Sequence, residues 1–185
     1  MLKNKIPFVT TKKIKKNIFL TEHSLEMELL FIAHYLPQVT IVPLIVGCVS
    51  TQQIVDAASA LKACVDDQTV VIVSSDFTHY GQQYNYMPFG PAQDALADIQ
   101  QLDQHLIKSI VAQNPADFLR TVKKQESTIC AKNSIMLLLE LLHSHTFPGV
   151  AAQVVGYATS LEKKDADSRS CVSYCGIVFD QKIDN

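Results

Sequence analysis

The chain has 185 residues, 48% of them hydrophobic and 18% charged, with a formal net charge of −2. That length fits one domain with a real core, and that composition excludes a disordered chain; the near-neutral balance gives no general attraction to nucleic acid or acidic membranes. No apolar stretch reaches the roughly 18 residues that cross a bilayer and no signal-peptide core stands near the start, so a soluble cytoplasmic protein is expected.

The five cysteines, Cys48, Cys64, Cys130, Cys171 and Cys175, are an odd set without CxxC spacing. This argues against a disulfide framework or a zinc ribbon and for reduced thiols. Cys171 and Cys175 fall in a β-rich run, where four steps separate them by about 13 Å, beyond disulfide reach, and they read as core residues.

Residues 1–18 carry Lys3, Lys5, Lys12, Lys13, Lys15 and Lys16. Without an arginine cluster or aromatic ladder they read as a solvated, poorly ordered segment ahead of a single domain over 19–185. Ser24 to Leu36 predicts a largely buried helix, with Thr21 or Ser24 as cap and Pro37 ending it. A strand is expected at Thr40 to Val46, made irregular by Pro43, then a helix from Gln52 to Cys64 and a second strand at Thr69 to Val73. The near-continuous Val and Ile of these strands point to a β-α-β unit in an α/β fold with a mostly parallel or mixed sheet flanked by helices.

A polar and aromatic loop then runs from Ser75 to Pro91. The next helix, about Gln93 to Ala112, places Leu96, Ile99, Leu102, Leu106, Ile107 and Ile110 at helical spacing. Asn114-Pro115-Ala116-Asp117 announces another, with Asn as cap and Pro in the first turn. Ser134 to Leu142 is apolar enough for a buried helix. Val150 to Thr159 and Cys171 to Phe179 close the chain as strands, joined by the charged turn Glu162 to Arg169.

Reactive groups collect at element ends, where pocket residues usually lie. Glu22-His23-Ser24 opens a helix. Ser75, Asp76, His79 and Tyr80 follow the Thr69 to Val73 strand and bring an acid, an imidazole and a phenol into one loop. Cys130 precedes the Ser134 helix, where a helix amino terminus favours thiolate and makes this cysteine a candidate nucleophile or metal ligand. His23 and His79 can act as acid and base or as ligands, and Asp76 stands beside the second of them. His34, His105, His143 and His145 lie within or at the ends of helices and are weaker candidates. Nucleotide-binding loops, zincin signatures and the nucleophile-elbow serine are absent.

The segments Glu22-His23-Ser24-Leu25-Glu26, Ser74-Ser75-Asp76-Phe77-Thr78-His79-Tyr80-Gly81 and Thr128-Ile129-Cys130 occur in the order and spacing of the Memo family. With the closing Gly156-Tyr157-Ala158-Thr159-Ser160 and Val172-Ser173-Tyr174 segments, the chain resembles that family from about Phe19 to Phe179. The resemblance implies a fold similar to the class III extradiol dioxygenases (LigB-like), which use a two-histidine, one-carboxylate iron site. It also implies partners of the AmmeMemoRadiSam system, an AMMECR1-like protein and a radical SAM protein.

Family members carry a longer amino-terminal part, with a histidine in a Ser-His-Ala-Gly-Tyr segment and another after Gly-Pro. Neither segment occurs here, so the chain reads as an amino-terminally truncated member. In the family those two histidines and the cysteine matching Cys130 form the metal site, while the histidines matching His23 and His79 line the pocket. Ala131, Ser134, Glu28 and Leu30 also depart from the usual pattern.

The leading expectation is therefore a Memo-like protein with a residual pocket of His23, Asp76, His79 and Cys130, and with iron or copper bound weakly or not at all. A metal-dependent oxidoreductase is the alternative if His23 or His79 is recruited as a ligand. A protein- or phosphopeptide-binding module is a third reading, poorly served by two arginines, Arg120 and Arg169. Lacking the early strands, the chain is expected to expose a sheet edge through which it self-associates.

Overall fold

The computed structural model describes residues 22–143, 147, 149–162 and 169–181. The basic segment 1–18 and most of the charged turn before Arg169 lie outside the described residues. Among the described residues there are five α-helices: α1 (His23–Tyr35), α2 (Thr51–Lys62), α3 (Leu96–Val111), α4 (Pro115–Lys124) and α5 (Lys132–His143). Three strands, β1 (His79–Gly81), β2 (Val150–Thr159) and β3 (Ser170–Gln181), accompany them, with short 3-10 turns at Gln82–Tyr84 and Ser160–Glu162.

The helices start where their caps dictate. Ser50 and Gln53 form a reciprocal capping box on α2, the Ser50 hydroxyl accepting the Gln53 N–H at 3.3 Å and the Gln53 side chain accepting the Ser50 N–H at 2.8 Å. Asn114 caps α4 by accepting the Asp117 N–H at 3.0 Å, with Pro115 in the first turn, as the sequence predicts. At α1 the cap is Glu22 rather than Thr21 or Ser24, its carboxylate accepting the Ser24 N–H at 3.3 Å and hydroxyl at 2.8 Å. A carboxylate suits the positive end of a helix. α1 holds no buried residue, and Leu30, Phe31 and Tyr35 are exposed, which corrects the expectation of a buried helix.

The sheet also departs from expectation. It is antiparallel, in the order β1-β3-β2, not parallel or mixed. Residues 40–46 and 69–73 form no ladder, and Val42, Val70 and Ile72 are exposed. Their composition favours β-structure, but a strand is defined by its neighbour's hydrogen bonds, and among the described residues no strand lies against them. The α2 helix between them forms as predicted. Its side chains at Ile54 and Ala58 turn inward, and α2 packs on α5.

β2 and β3 pair along most of their length, with a bulge at Val155 between the Val154 and Gly156 pairings. Gly176, opposite Gly156, accommodates it: a Cβ there would lie 2.9 Å from the Val155 side chain. The main core joins Ile54 of α2, Leu106 and Ile110 of α3, Phe118 and Val122 of α4, and Ile135, Met136 and Leu139 of α5 to Phe77 and Ile129. A second cluster joins Tyr80, Ala92, Ala95, Ile99 and Cys171. Phe77 and Tyr80, one in each core, thus anchor the segment between them from both sides.

Candidate functional site: a thiol, an imidazole and a carboxylate beside strand β1

The segment from Ser75 to Gly81 is held along both edges. On one side β1 pairs with β3, His79 facing Val172 and Tyr80 facing Cys171, and the Phe77 N–H donates to the Ser173 carbonyl at 2.9 Å. On the other side runs the segment leading into α5. Thr128 takes the place of a neighbouring strand: its hydroxyl accepts the His79 N–H at 2.9 Å and donates to the His79 carbonyl at 2.7 Å. Two residues on, the Cys130 N–H donates to the Asp76 carbonyl at 3.3 Å, while Cys130 Sγ accepts the Asp76 N–H at 3.1 Å.

Cys130, exposed just ahead of α5, is therefore fixed to the β1 segment by two contacts with Asp76. Ser75 adds to this. Its Oγ lies 3.6 Å from Cys130 Sγ, accepts the Ala131 N–H at 3.2 Å and donates to the Asp76 carbonyl at 3.0 Å. His79 turns back toward the same place, with Nε2 3.6 Å from Asp76 Oδ2 and Nδ1 3.3 Å from the Phe77 carbonyl. Tyr84 packs edge-on against its ring. The His79 side chain is 20% exposed and the Asp76 side chain 46% exposed, so the group lies at a surface that solvent reaches.

Ser75, Asp76, His79 and Cys130 are thus brought together. His23 and Glu22 are not joined to them: Glu22 is used as the α1 cap, His23 is exposed on that helix, and no hydrogen bond or ion pair among the described residues links either to the β1 group. Tyr80 belongs to the core. Fully buried, it donates its hydroxyl to the Gly90 carbonyl at 2.9 Å and accepts the Phe89 N–H at 3.0 Å. Cys171 and Cys175 sit in β3, where burial pushes both thiols up, Cys175 to about 11.

The donors present do not fit the metal site that the resemblance implies. Among the described residues, no three His, Cys, Asp or Glu side chains gather where a metal ion could be held. What the arrangement offers chemically is a solvent-reached thiol, supported by a backbone N–H and a hydroxyl and tied to the backbone of Asp76, whose carboxylate lies 3.6 Å from the His79 imidazole.

Two contributors escape a reading of the sequence by motif. Thr128 acts through its hydroxyl on backbone, which no side-chain pattern reveals. Asp103, on α3, is fully buried and accepts hydrogen bonds from Thr78 Oγ1 at 2.6 Å and the Tyr157 hydroxyl at 2.7 Å. The signal for it was available: Asp103 shares a helix face with Ile99, Leu106 and Ile110 at 3.6-residue spacing, where a carboxylate needs partners.

The family model for Memo-like proteins matches residues 2–178. The chain is similar to the memo-1 homolog of Caenorhabditis elegans, 30% identical over 174 residues that make up 86% of this chain and 48% of that protein. It is similar also to a MEMO1 family protein of Thermococcus onnurineus, 28% identical over 166 residues covering 85% of this chain and 56% of the relative. With the human protein MEMO1 it shares 31% identity over 127 residues, 65% of this chain and 43% of the relative. The chain spans about half the length of the curated relatives it matches. On the family match over nearly its whole length, the chain belongs to the Memo family.

Proposed function

We propose that this is a Memo-like protein whose working group is the thiol Cys130 with Asp76, His79 and Ser75, and that it holds divalent iron or copper weakly or not at all. The observation that carries this is the Asp76 N–H directed at Cys130 Sγ at 3.1 Å, with His79 Nε2 3.6 Å from the same residue's carboxylate, while among the described residues no three His, Cys, Asp or Glu side chains gather where a metal ion could be held. Tight, selective metal binding needs a fixed set of ligands in fixed geometry, and the contacts that join Cys130 to this group run through the Asp76 backbone and the Ser75 hydroxyl, not through a shared set of donors. The same reading assigns a cytoplasmic setting, since reduced thiols at exposed Cys48, Cys64 and Cys130 suit it. It assigns AMMECR1-like and radical SAM proteins as partners only by likeness to the family. Among the described residues, no helix is long and apolar enough to cross a membrane.

Anaerobic titration with ferrous iron or copper(I), followed by equilibrium dialysis of wild type and Cys130→Ser, tests it. Less than one equivalent retained by both proteins is the expected result. One tightly held equivalent, lost in Cys130→Ser, would overturn the proposal and restore a metal-dependent, dioxygenase-like oxidoreductase.

A further inference from the structure

The carboxylate of Asp103 is the most deeply placed charged group of the described core. It sits on the inward face of α3 with no exposed surface, and its two oxygens are divided between two donors from different parts of the chain. Oδ1 takes the Thr78 hydroxyl and Oδ2 takes the Tyr157 hydroxyl. A buried carboxylate is costly to desolvate, and a well-packed apolar residue at such a position is often at least as stabilising. What the carboxylate adds is a directional hold on a particular residue of the β1 segment.

That residue is Thr78, 2% exposed, immediately before His79. Its backbone is held by Ser173, whose Oγ accepts the Thr78 N–H at 2.9 Å and whose N–H donates to the Thr78 carbonyl at 3.1 Å. Thr78 is therefore clamped between α3 and β3. The neighbouring contacts form the candidate site: His79 to Thr128, and Asp76 to Cys130. Thr78 directly precedes His79 and lies two residues after Asp76, so a bond that holds Thr78 in place limits where both of those side chains can lie.

We propose that Asp103 is the positioning residue of this site: by holding the Thr78 hydroxyl it sets the register that places Asp76 and His79 beside Cys130. Tyr157 satisfies the second carboxylate oxygen and ties the same group to β2, and its hydroxyl also meets the Ser173 side chain. The inference rests on the site proposed above, but it concerns geometry and involves no metal.

Three substitutions separate positioning from general stability. Thr78→Val removes the hydroxyl that Asp103 holds, Asp103→Asn weakens the hold while keeping the shape, and Tyr157→Phe removes the other bond to the same carboxylate. The readouts are the NMR signals of the His79 ring and the iodoacetamide labelling rate at Cys130, resolved from the other cysteines by peptide mass spectrometry. Each variant is confirmed folded by circular dichroism. Thr78→Val and Asp103→Asn are expected to shift the His79 signals and to change Cys130 labelling on the order of threefold or more, as loss of a hydrogen bond to a charged group implies.

Tyr157→Phe keeps the bond from Thr78 to Asp103 and loses only the Tyr157 contacts with Asp103 and Ser173, so it should change both readouts by clearly less than Thr78→Val does, even where it lowers the unfolding midpoint. Should Asp103→Asn fail to fold, Thr78→Ser against Thr78→Val decides: the serine keeps the hydroxyl and should match wild type. Unchanged readouts in Thr78→Val and Asp103→Asn would overturn the proposal, as would a Tyr157→Phe effect as large as theirs. Metal retention in the dialysis experiment would refute the proposed function yet leave this result standing, so the two failures are distinguishable.

Discussion

Thr128→Val is the sharpest single perturbation of the β1 segment, because valine keeps the shape of threonine and loses only the hydroxyl. That hydroxyl makes two hydrogen bonds to one residue, accepting the His79 N–H at 2.9 Å and donating to the His79 carbonyl at 2.7 Å. Each intramolecular hydrogen bond is worth a net ~0.5–1.5 kcal/mol, more where a polar group is left buried without a partner. Both groups are only partly buried, so water takes up some of the lost bonding, and the expected loss is about 1.5 kcal/mol, in the lower half of the summed range. Urea unfolding followed by circular dichroism measures it. Thr128→Ser, which keeps the hydroxyl, should lose much less. A Thr128→Val protein as stable as wild type, or a Thr128→Ser protein equally damaged, would show that Thr128 does not act as the missing neighbour of β1.

Gly81→Ala should destabilise by ~1–3 kcal/mol where an ordinary glycine-to-alanine change is neutral or stabilising. Gly81 has a φ of 130°, and an added Cβ would lie 2.9 Å from that of Ser170; an unchanged thermal midpoint would count against this close approach of β1 and β3. Stability should fall as pH rises from 9.0 toward about 11, because burial, ahead of the Asp103 charge, raises the Cys175 thiol to about 11 in the folded chain. In that window the unfolded chain has lost the proton that the folded chain keeps, so unfolding is favoured. Cys175→Ala should flatten this slope in urea midpoints taken from about pH 8 to about pH 10, and an unaltered slope would contradict it.

Much of the helical framework was legible because its signals are local. The Asn114-Pro115 start of α4 and the apolar run of α5 are written in a few adjacent residues, and β2 and β3 stand where their composition places them. The sheet's direction was not legible. Residues 40–46 and 69–73 have the composition of buried parallel strands, but pairing is a property of two segments, and no described strand lies beside them. For the site, adjacency explains the outcome again. Ser75, Asp76 and His79 share one short segment and come together with Cys130, whereas His23 depends on how α1 packs, and α1 has no fully buried residue. Tyr80, one residue beyond His79, is buried while His79 stays near the surface, a difference that their adjacency in the sequence does not reveal.

The proposed site joins Cys130 to His79 and leaves His23 apart from it. Assigned histidine-ring NMR signals, recorded for wild type and Cys130→Ser, test it most directly. The His79 signals should shift when the Cys130 sulfur is replaced, while those of His23 should not. A shift at His23 with His79 unmoved would contradict it.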